Sequence, residues 1–216
     1  MKLFLSGGGV GSKSEELDRR FVIEADKSKP MLYIPIGINE CEYPYSDCFE
    51  YIIDKFNPLG LREIEIWSEE DIQERASEGL DRFGSIYIDD GNAFYLLKNL
   101  QDSGLTKKIR QMAKNNVPVY GCGSGAVVCA RTLIPRLEFD VNDCGLRDMD
   151  ALNLVGEYDV WCHYEPDMSD QVLDYSKRFG LKRLVLLPDD AGLQVSNKNM
   201  ESVGPGSAQF FSEKRN

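Results

Sequence analysis

Histidine is almost absent: His163 is the only one in 216 residues. Imidazole chemistry therefore has a single candidate, and a metal centre built on several histidines is excluded. Cysteine pairing is also missing. The six cysteines (Cys41, Cys48, Cys122, Cys129, Cys144, Cys162) include no pair at CxxC spacing and sit mainly in apolar or strand-like contexts. They read as reduced thiols rather than zinc ligands or disulfides. Positive charge is scarce, with 25 Lys and Arg against 36 Asp and Glu and a net charge of -11. Nucleic acid is excluded as a partner on this reading, because phosphate contacts need clustered basic residues. No run approaches the roughly 18 apolar residues of a membrane span, so no membrane partner is expected. The apolar start, Met1 to Leu5, is too short for a secretory signal, and a cytoplasmic location is the default expectation. Repeats, low-complexity tracts and linkers are lacking, so one domain over 1–216 is expected. A chain of this length buries an adequate core without disulfide or metal support.

What is present is an alternation of strands and helices. Strands are predicted at Lys2 to Ser6, Met31 to Pro35, Glu63 to Trp67, Ser85 to Ile88, Val117 to Cys122, Tyr158 to Cys162 and Arg183 to Leu187. Helices are predicted at Ser14 to Ala25, Ser46 to Phe56, Ala93 to Leu100, Thr106 to Lys114 and Ser169 to Phe179. In the second of these, Phe49, Ile52, Ile53 and Phe56 recur at i, i+3, i+4 and i+7. Ser68 followed by Asp71 resembles a capping box opening a further helix. The rhythm loosens from Ala130 to Asp150. The tail, with Gly192 to Ser196, Asn197-Lys198-Asn199, Glu201 to Val203 and Ala208 to Phe211, reads as a closing hairpin with extra edge pairing. The fold class is α/β, a mostly parallel sheet with helices on both faces and a C-terminal β-hairpin. Functional loops are expected at the carboxyl ends of the strands. Exposed edges in the tail leave a homodimer open.

The most informative stretch is Val117 to Val128, a buried strand, a tight glycine turn and a helix start. Such a turn lifts a nucleophile above the sheet beside helix N-terminal amides. Here the apex of Gly121-x-x-x-Gly125 is Gly123, which has no side chain to react. Cys122 precedes the apex, and Cys122 and Cys162 read as buried spectators. His163, just past a strand and before Pro166, suits a general base. Gly7-Gly8-Gly9-Val10-Gly11-Ser12-Lys13 invites a phosphate-loop reading, but it matches neither GxxxxGK[ST] nor GxGxxG and reads as a strand-to-helix turn. No cofactor is expected. Two acidic doublets, Asp89-Asp90 and Asp189-Asp190, follow predicted strands and permit a metal-dependent hydrolase. Neighbouring side chains on a doublet point apart and no phosphotransfer motif accompanies them, so no metal ligands are assigned.

Together these pieces resemble the peptidase E family of aspartyl dipeptidases, with their cyanophycinase relatives and a fold akin to class I glutamine amidotransferases. Ile88 to Leu97, IDDGNAFYLL, resembles the family's GGGNTFxLL. Tyr120 to Ala126, YGCGSGA, resembles its Y-x-G-x-S-A-G-A elbow with one residue fewer after the tyrosine. Cys162-His163-Tyr164 resembles its P-H-[FY], and Leu187-Pro188-Asp189 its L-P-E. The resemblance implies a Ser-His-Glu/Asp triad cleaving small peptides. It places His163 as base, Asp189 as orienting acid, the amides of Gly91 and Ser124 as the oxyanion hole, and Asn92 as a substrate-binding residue. The family's serine falls on Gly123 and its next residue on Ser124, while Asp89 and Asp90 replace two glycines beside the hole. Extra negative charge there disfavours an oxyanion and an acidic substrate. Three functions follow as expectations: a divergent serine hydrolase of small peptides with Ser124 shifted into the nucleophile position, an inert relative that binds a small peptide or amino-acid-like ligand, and the metal-dependent hydrolase.

Overall fold

Alternation of apolar residues along the central strands decides the layering. The computed structural model describes residues 1–197 and 199–212; Lys198, in the predicted hairpin turn, lies outside the described residues. Strands β1 (Lys2–Ser6), β2 (Met31–Ile34), β3 (Ile64–Ile66), β4 (Ser85–Ile88) and β5 (Val119–Cys122) form the parallel part of a seven-stranded sheet. An antiparallel hairpin, β8 (Gly192–Ser196) and β9 (Asn199–Val203), extends it beside β1, in the order β3-β2-β4-β5-β1-β8-β9. Leu3, Leu5, Leu32, Ile34, Ile86 and Ile88 face one side. There they pack under α3 (Ile72–Glu78), α4 (Ala93–Asp102), α5 (Leu105–Lys114) and α6 (Ser124–Cys129). Phe4, Met31, Tyr33, Tyr87 and Tyr120 face the other, under α1 (Glu15–Glu24) and α2 (Tyr45–Phe56). This is the period-2 logic of a sheet covered on both faces.

The remaining strands form a second sheet, which the sequence pattern did not separate from the first. β6 (Asp159–Cys162) and β7 (Arg183–Leu187) pair in parallel, and β10 (Gln209–Ser212) adds antiparallel to β7. Val160, Cys162, Val185 and Leu187 face the main core, while Trp161, Leu184 and Leu186 pack with α7 (Ser169–Phe179). The small sheet is thus wedged between the main core and a helix of its own. Trp161 meets Tyr175 edge-on at 5.4 Å between ring centroids, a favoured aromatic geometry.

Local signals explain most boundaries. In α2, Ile52 and Phe56 are fully buried, and Phe49 and Ile53 are half-buried, as the spacing predicts. Helix α4 starts where the Asn92 side chain accepts from Phe94 N and Tyr95 N, both at 3.0 Å, a full N-cap. Ser68 N does donate to Asp71 at 3.1 Å, but α3 starts only at Ile72, so the box closes a turn ahead of the helix. Between Ala130 and Asp150 the chain has a short 3-10 turn at Ile134–Arg136 and one antiparallel bridge, Thr132 to Asp150.

Candidate active site

The carboxyl ends of β1, β4, β5, β6 and β7 deliver Gly7-Gly8, Asp89-Asp90, Gly123, His163 and Asp189 to one place. Gly123 stands between β5 and α6 with φ 50° and ψ -113°. Its N–H donates to Ser6 O at 3.1 Å, and its carbonyl accepts from Ala126 N and Val127 N. The elbow is therefore fully built around a residue without a side chain.

Asp90 fills the space above it. A Cβ added at Gly123 would lie 2.1 Å from Asp90 Cγ and 2.2 and 2.3 Å from its two oxygens. Asp90 Oδ1 accepts from Gly91 N at 2.8 Å and from Ser124 N at 2.7 Å. Those are the two amides that the resemblance names as the oxyanion hole. Oδ2 lies 3.3 Å from His163 Nε2. On the far side of the ring, His163 Nδ1 lies 2.8 Å from Asp189 Oδ1. The imidazole is thus held between two carboxylates.

His163 is fixed from the backbone too. It follows β6 with φ 54°, and its N–H donates to Gly7 O at 3.1 Å. Gly8 gives the ring room: a Cβ there would lie 2.2 Å from His163 Cε1. The glycine run holds no phosphate cradle, because Gly7 N and Gly9 N donate to Ala191 O and Asp189 O, each at 3.0 Å. Its role is the strand-to-helix turn read from its spacing.

Charge in the cluster is unevenly shared. Burial pushes the Asp90 carboxyl up, but bonds from His163 and from the Ser124 and Gly91 amides outweigh it and hold the group below its ordinary value. The bond to Asp90 raises the His163 imidazole above its ordinary value against a smaller opposing effect of burial. Asp89, the other half of the doublet, is pushed up by burial and accepts from Tyr33 OH at 2.6 Å. The two carboxyls of the doublet are thus shifted in opposite directions, and Asp90, the one held low, faces the histidine whose protonated form it favours.

Several residues singled out from the sequence are placed elsewhere. Ser124 is fully buried, and its hydroxyl donates to the Gly91 carbonyl. The shift into the nucleophile position does not occur, because the first turn of α6 and the Gly91 loop hold the side chain inward. Asn92 borders the cavity, and its amide also bonds to backbone. The oxygen caps α4 and the nitrogen donates to Val141 O at 2.8 Å, which leaves the second hydrogen of the amide for a substrate. Cys122 and Cys162 are buried, and burial raises both thiols far above the ordinary range. Cys162 Sγ points at Gly123 O at 3.2 Å. Among the described residues, no group of three or more His, Cys, Asp or Glu side chains is arranged to hold a metal ion, so the two doublets do not converge on one. No helix there is long and apolar enough to cross a membrane.

A cavity of about 910 Å³ opens over the cluster. Asp90, Gly91, Cys122 and His163 border it, and Glu42, Tyr43, Asp47 and Tyr51 contribute from the segment leading into and through α2. Its one strong cation is Arg136, whose guanidinium is engaged by Asp140 at 2.6 and 3.0 Å. Sequence reasoning missed this pair. It also read Asp90 as a repulsive neighbour of the hole when Asp90 is its occupant. The available signal was the coincidence of two departures, an acid where the family has glycine and a glycine where it has serine.

Comparison with known proteins agrees with this architecture. The model of peptidase family S51 matches residues 3–203. A protein assigned to peptidase E from Listeria monocytogenes EGD-e superposes with a TM-score of 0.70 at 18% identity, over 95% of this chain and 98% of that one. A peptidase from an acI-B1 actinobacterium does so with a TM-score of 0.69 at 16% identity, over 99% of this chain and 95% of that one. No curated protein matches. The fold is that of peptidase E-like proteins, and the family match supports a peptidase-like function. The chain belongs to peptidase family S51.

Proposed function

We propose that this protein keeps the family's pocket as a binding site for a small peptide or amino-acid-like ligand bearing a cationic group, and does not hydrolyse peptides by a serine mechanism. One observation carries the reading: the Asp90 carboxylate occupies both the nucleophile space above Gly123 and the pair of amides meant for an oxyanion. A triad without its nucleophile loses several orders of magnitude in rate. An anion already seated in the hole removes the donors and repels the charge that develops on an attacked carbonyl. The buried, engaged hydroxyl of Ser124 offers no replacement.

The wall chemistry selects the ligand. Asp89, Asp90, Glu42 and Asp47 border the cavity, and its arginine is paired. Tyr43 and Tyr51 are exposed at the same wall and offer ring faces to a cation. An ammonium end suits this lining and an aspartyl side chain does not. The test is thermal unfolding with Lys-Ala and Asp-Ala, together with a hydrolysis assay on both. The expected result is stabilisation by Lys-Ala alone, with no cleavage of either. Turnover at ordinary enzyme rates, about 1–10³ per second, abolished by His163→Ala, would overturn the proposal.

A further inference from the structure

Asp90 is more than an obstruction. Its Oδ1 rests on two backbone N–H donors, Gly91 and Ser124, at 2.8 and 2.7 Å. Its Oδ2 faces His163 Nε2 at 3.3 Å, and Asp189 holds His163 Nδ1 at 2.8 Å. About a third of its side chain, 32%, is open, and it borders the cavity. Carboxylates are nucleophiles that form covalent intermediates. Here the amides of the hole hold one of the carboxylate's own oxygens, Oδ1, where charge would develop if an ester of Asp90 were hydrolysed.

We propose that Asp90 is a nucleophile toward saturated carbon, opening a small uncharged epoxide in the cavity to an Asp90 ester that water, activated by His163, hydrolyses to a vicinal diol. The proposal goes beyond the binding reading: it uses the same pocket but needs no cationic group, so each can fail alone.

Leaving-group chemistry selects the electrophile. A carboxylate that attacks an amide forms an adduct whose better leaving group is the carboxylate itself, and the adduct reverts. Attack on a strained ring at saturated carbon gives an ester that persists. In the first step Asp90 Oδ2 bonds to a ring carbon, the ring C–O bond breaks, and the alkoxide takes the proton from His163 Nε2. The products are a neutral hydroxyalkyl ester and a neutral imidazole. The anion that favoured the protonated ring is now gone, and Nε2 is free to act as base. In the second step water transfers a proton to Nε2 while its oxygen bonds to Asp90 Cγ, and the negative charge forms on Oδ1 against the Gly91 and Ser124 amides. Collapse breaks the bond from Cγ to the ester oxygen, which leaves with the diol and takes the Nε2 proton. Asp90 then returns its acid proton to His163. The balance is epoxide plus water to diol, and one Asp90 oxygen comes from water. Gly123 belongs to this design, since any Cβ there would displace the carboxylate.

The test uses styrene oxide. Wild-type protein is expected to form the diol and, in a single turnover in ¹⁸O-water, to place the label in the peptide containing Asp90. His163→Gln, which can supply neither the proton for ring opening nor the base for ester hydrolysis, is expected to slow diol formation by more than 100-fold. Asp90→Ala is expected to lose both products while retaining a cooperative thermal transition. The proposal is overturned if wild type yields no diol. It is also overturned if diol forms with no label in Asp90, which would mean direct attack by water, or if an adduct forms on another residue. The wild-type labelling result stands even if a variant does not fold.

Discussion

Gly123 and Asp90 are predicted to be energetically coupled, and a double-mutant cycle measures the coupling. In Gly123→Ser two penalties arise. The residue must keep φ 50° and ψ -113°, a region costly for L side chains by about 1–3 kcal/mol. Its Cβ must also share space with a carboxylate 2.1–2.3 Å away, an overpacking of about 1–3 kcal/mol. Only the second penalty depends on Asp90. Serine at 123 should therefore destabilise the native background by ~2–6 kcal/mol, and the Asp90→Gly background by ~1–3 kcal/mol less. Urea unfolding of wild type, both single variants and the double variant gives the coupling directly. A coupling within about 0.5 kcal/mol of zero, the usual limit of additivity for independent sites, would refute the claim that Asp90 holds the nucleophile space. The same set has a functional readout. Gly123→Ser alone should stay inactive on dipeptides, because the Asp90 carboxylate still crowds the serine and keeps a negative charge beside the hole. The double variant should cleave them, because Asp90→Gly restores the glycine there and frees His163 Nε2 for a serine.

Two further outcomes follow from the cluster. Ser124→Ala should leave ligand stabilisation unchanged while lowering stability by about 1–3 kcal/mol in urea unfolding, since the Gly91 carbonyl loses a buried donor; loss of function without loss of stability would contradict its structural placement. For pH, the lone imidazole makes the NMR titration unambiguous. The His163 midpoint should lie above its ordinary 6.5 in wild type and move down in Asp90→Asn, Asp90 being the largest cause of the shift. A raised folded value means that its contribution to stability is complete below 6.5 and is lost as pH rises through the folded midpoint. Asp90, held below its ordinary 3.8, contributes above 3.8 and loses that contribution as pH falls through its own folded midpoint. The wild-type advantage over Asp90→Asn should therefore be greatest between about pH 4 and 6.5. A difference that does not shrink as pH rises above that window and falls below it, or a wild-type midpoint at or below 6.5, would refute the charge assignment.

The fold was legible wherever the information was local. β1, β4, β7, β8 and α7 have the bounds expected from apolar patterning and turn residues, and α2 buries the stripe its spacing predicts. Pairing was less legible. Alternation along β6 and β7 looks the same whether they join the large sheet or form their own, and the choice rests on Trp161 packing against α7 from outside the strand. β10 was expected near the hairpin but pairs with β7, a contact no local pattern encodes. The site divides the same way. His163 and Asp189 stand in short recognisable segments, and their 2.8 Å approach needs only that β6 and β7 be neighbours. The seating of Asp90 depends on side-chain placement between residues 33 apart in sequence, and charge alone argued against it.

That seating bears on whether the site has decayed or has been rebuilt. Loss of a serine by drift would leave the two amides of the hole, Gly91 N and Ser124 N, open toward the cavity as they stand in a resting hydrolase, awaiting a substrate oxygen. It would also leave an elbow strained at residue 123 for no return. Neither condition holds. Both amides donate to one carboxylate oxygen, His163 is engaged on both nitrogens, and Gly123 relieves the strain while making room for the replacement group. The two departures fit each other sterically: an aspartate at 90 would collide with a serine at 123, and glycine there leaves the space that the Asp90 carboxylate fills. A matched pair of this kind argues that the pocket is maintained for use, with a carboxylate from the β4 loop standing where the elbow's side chain would be.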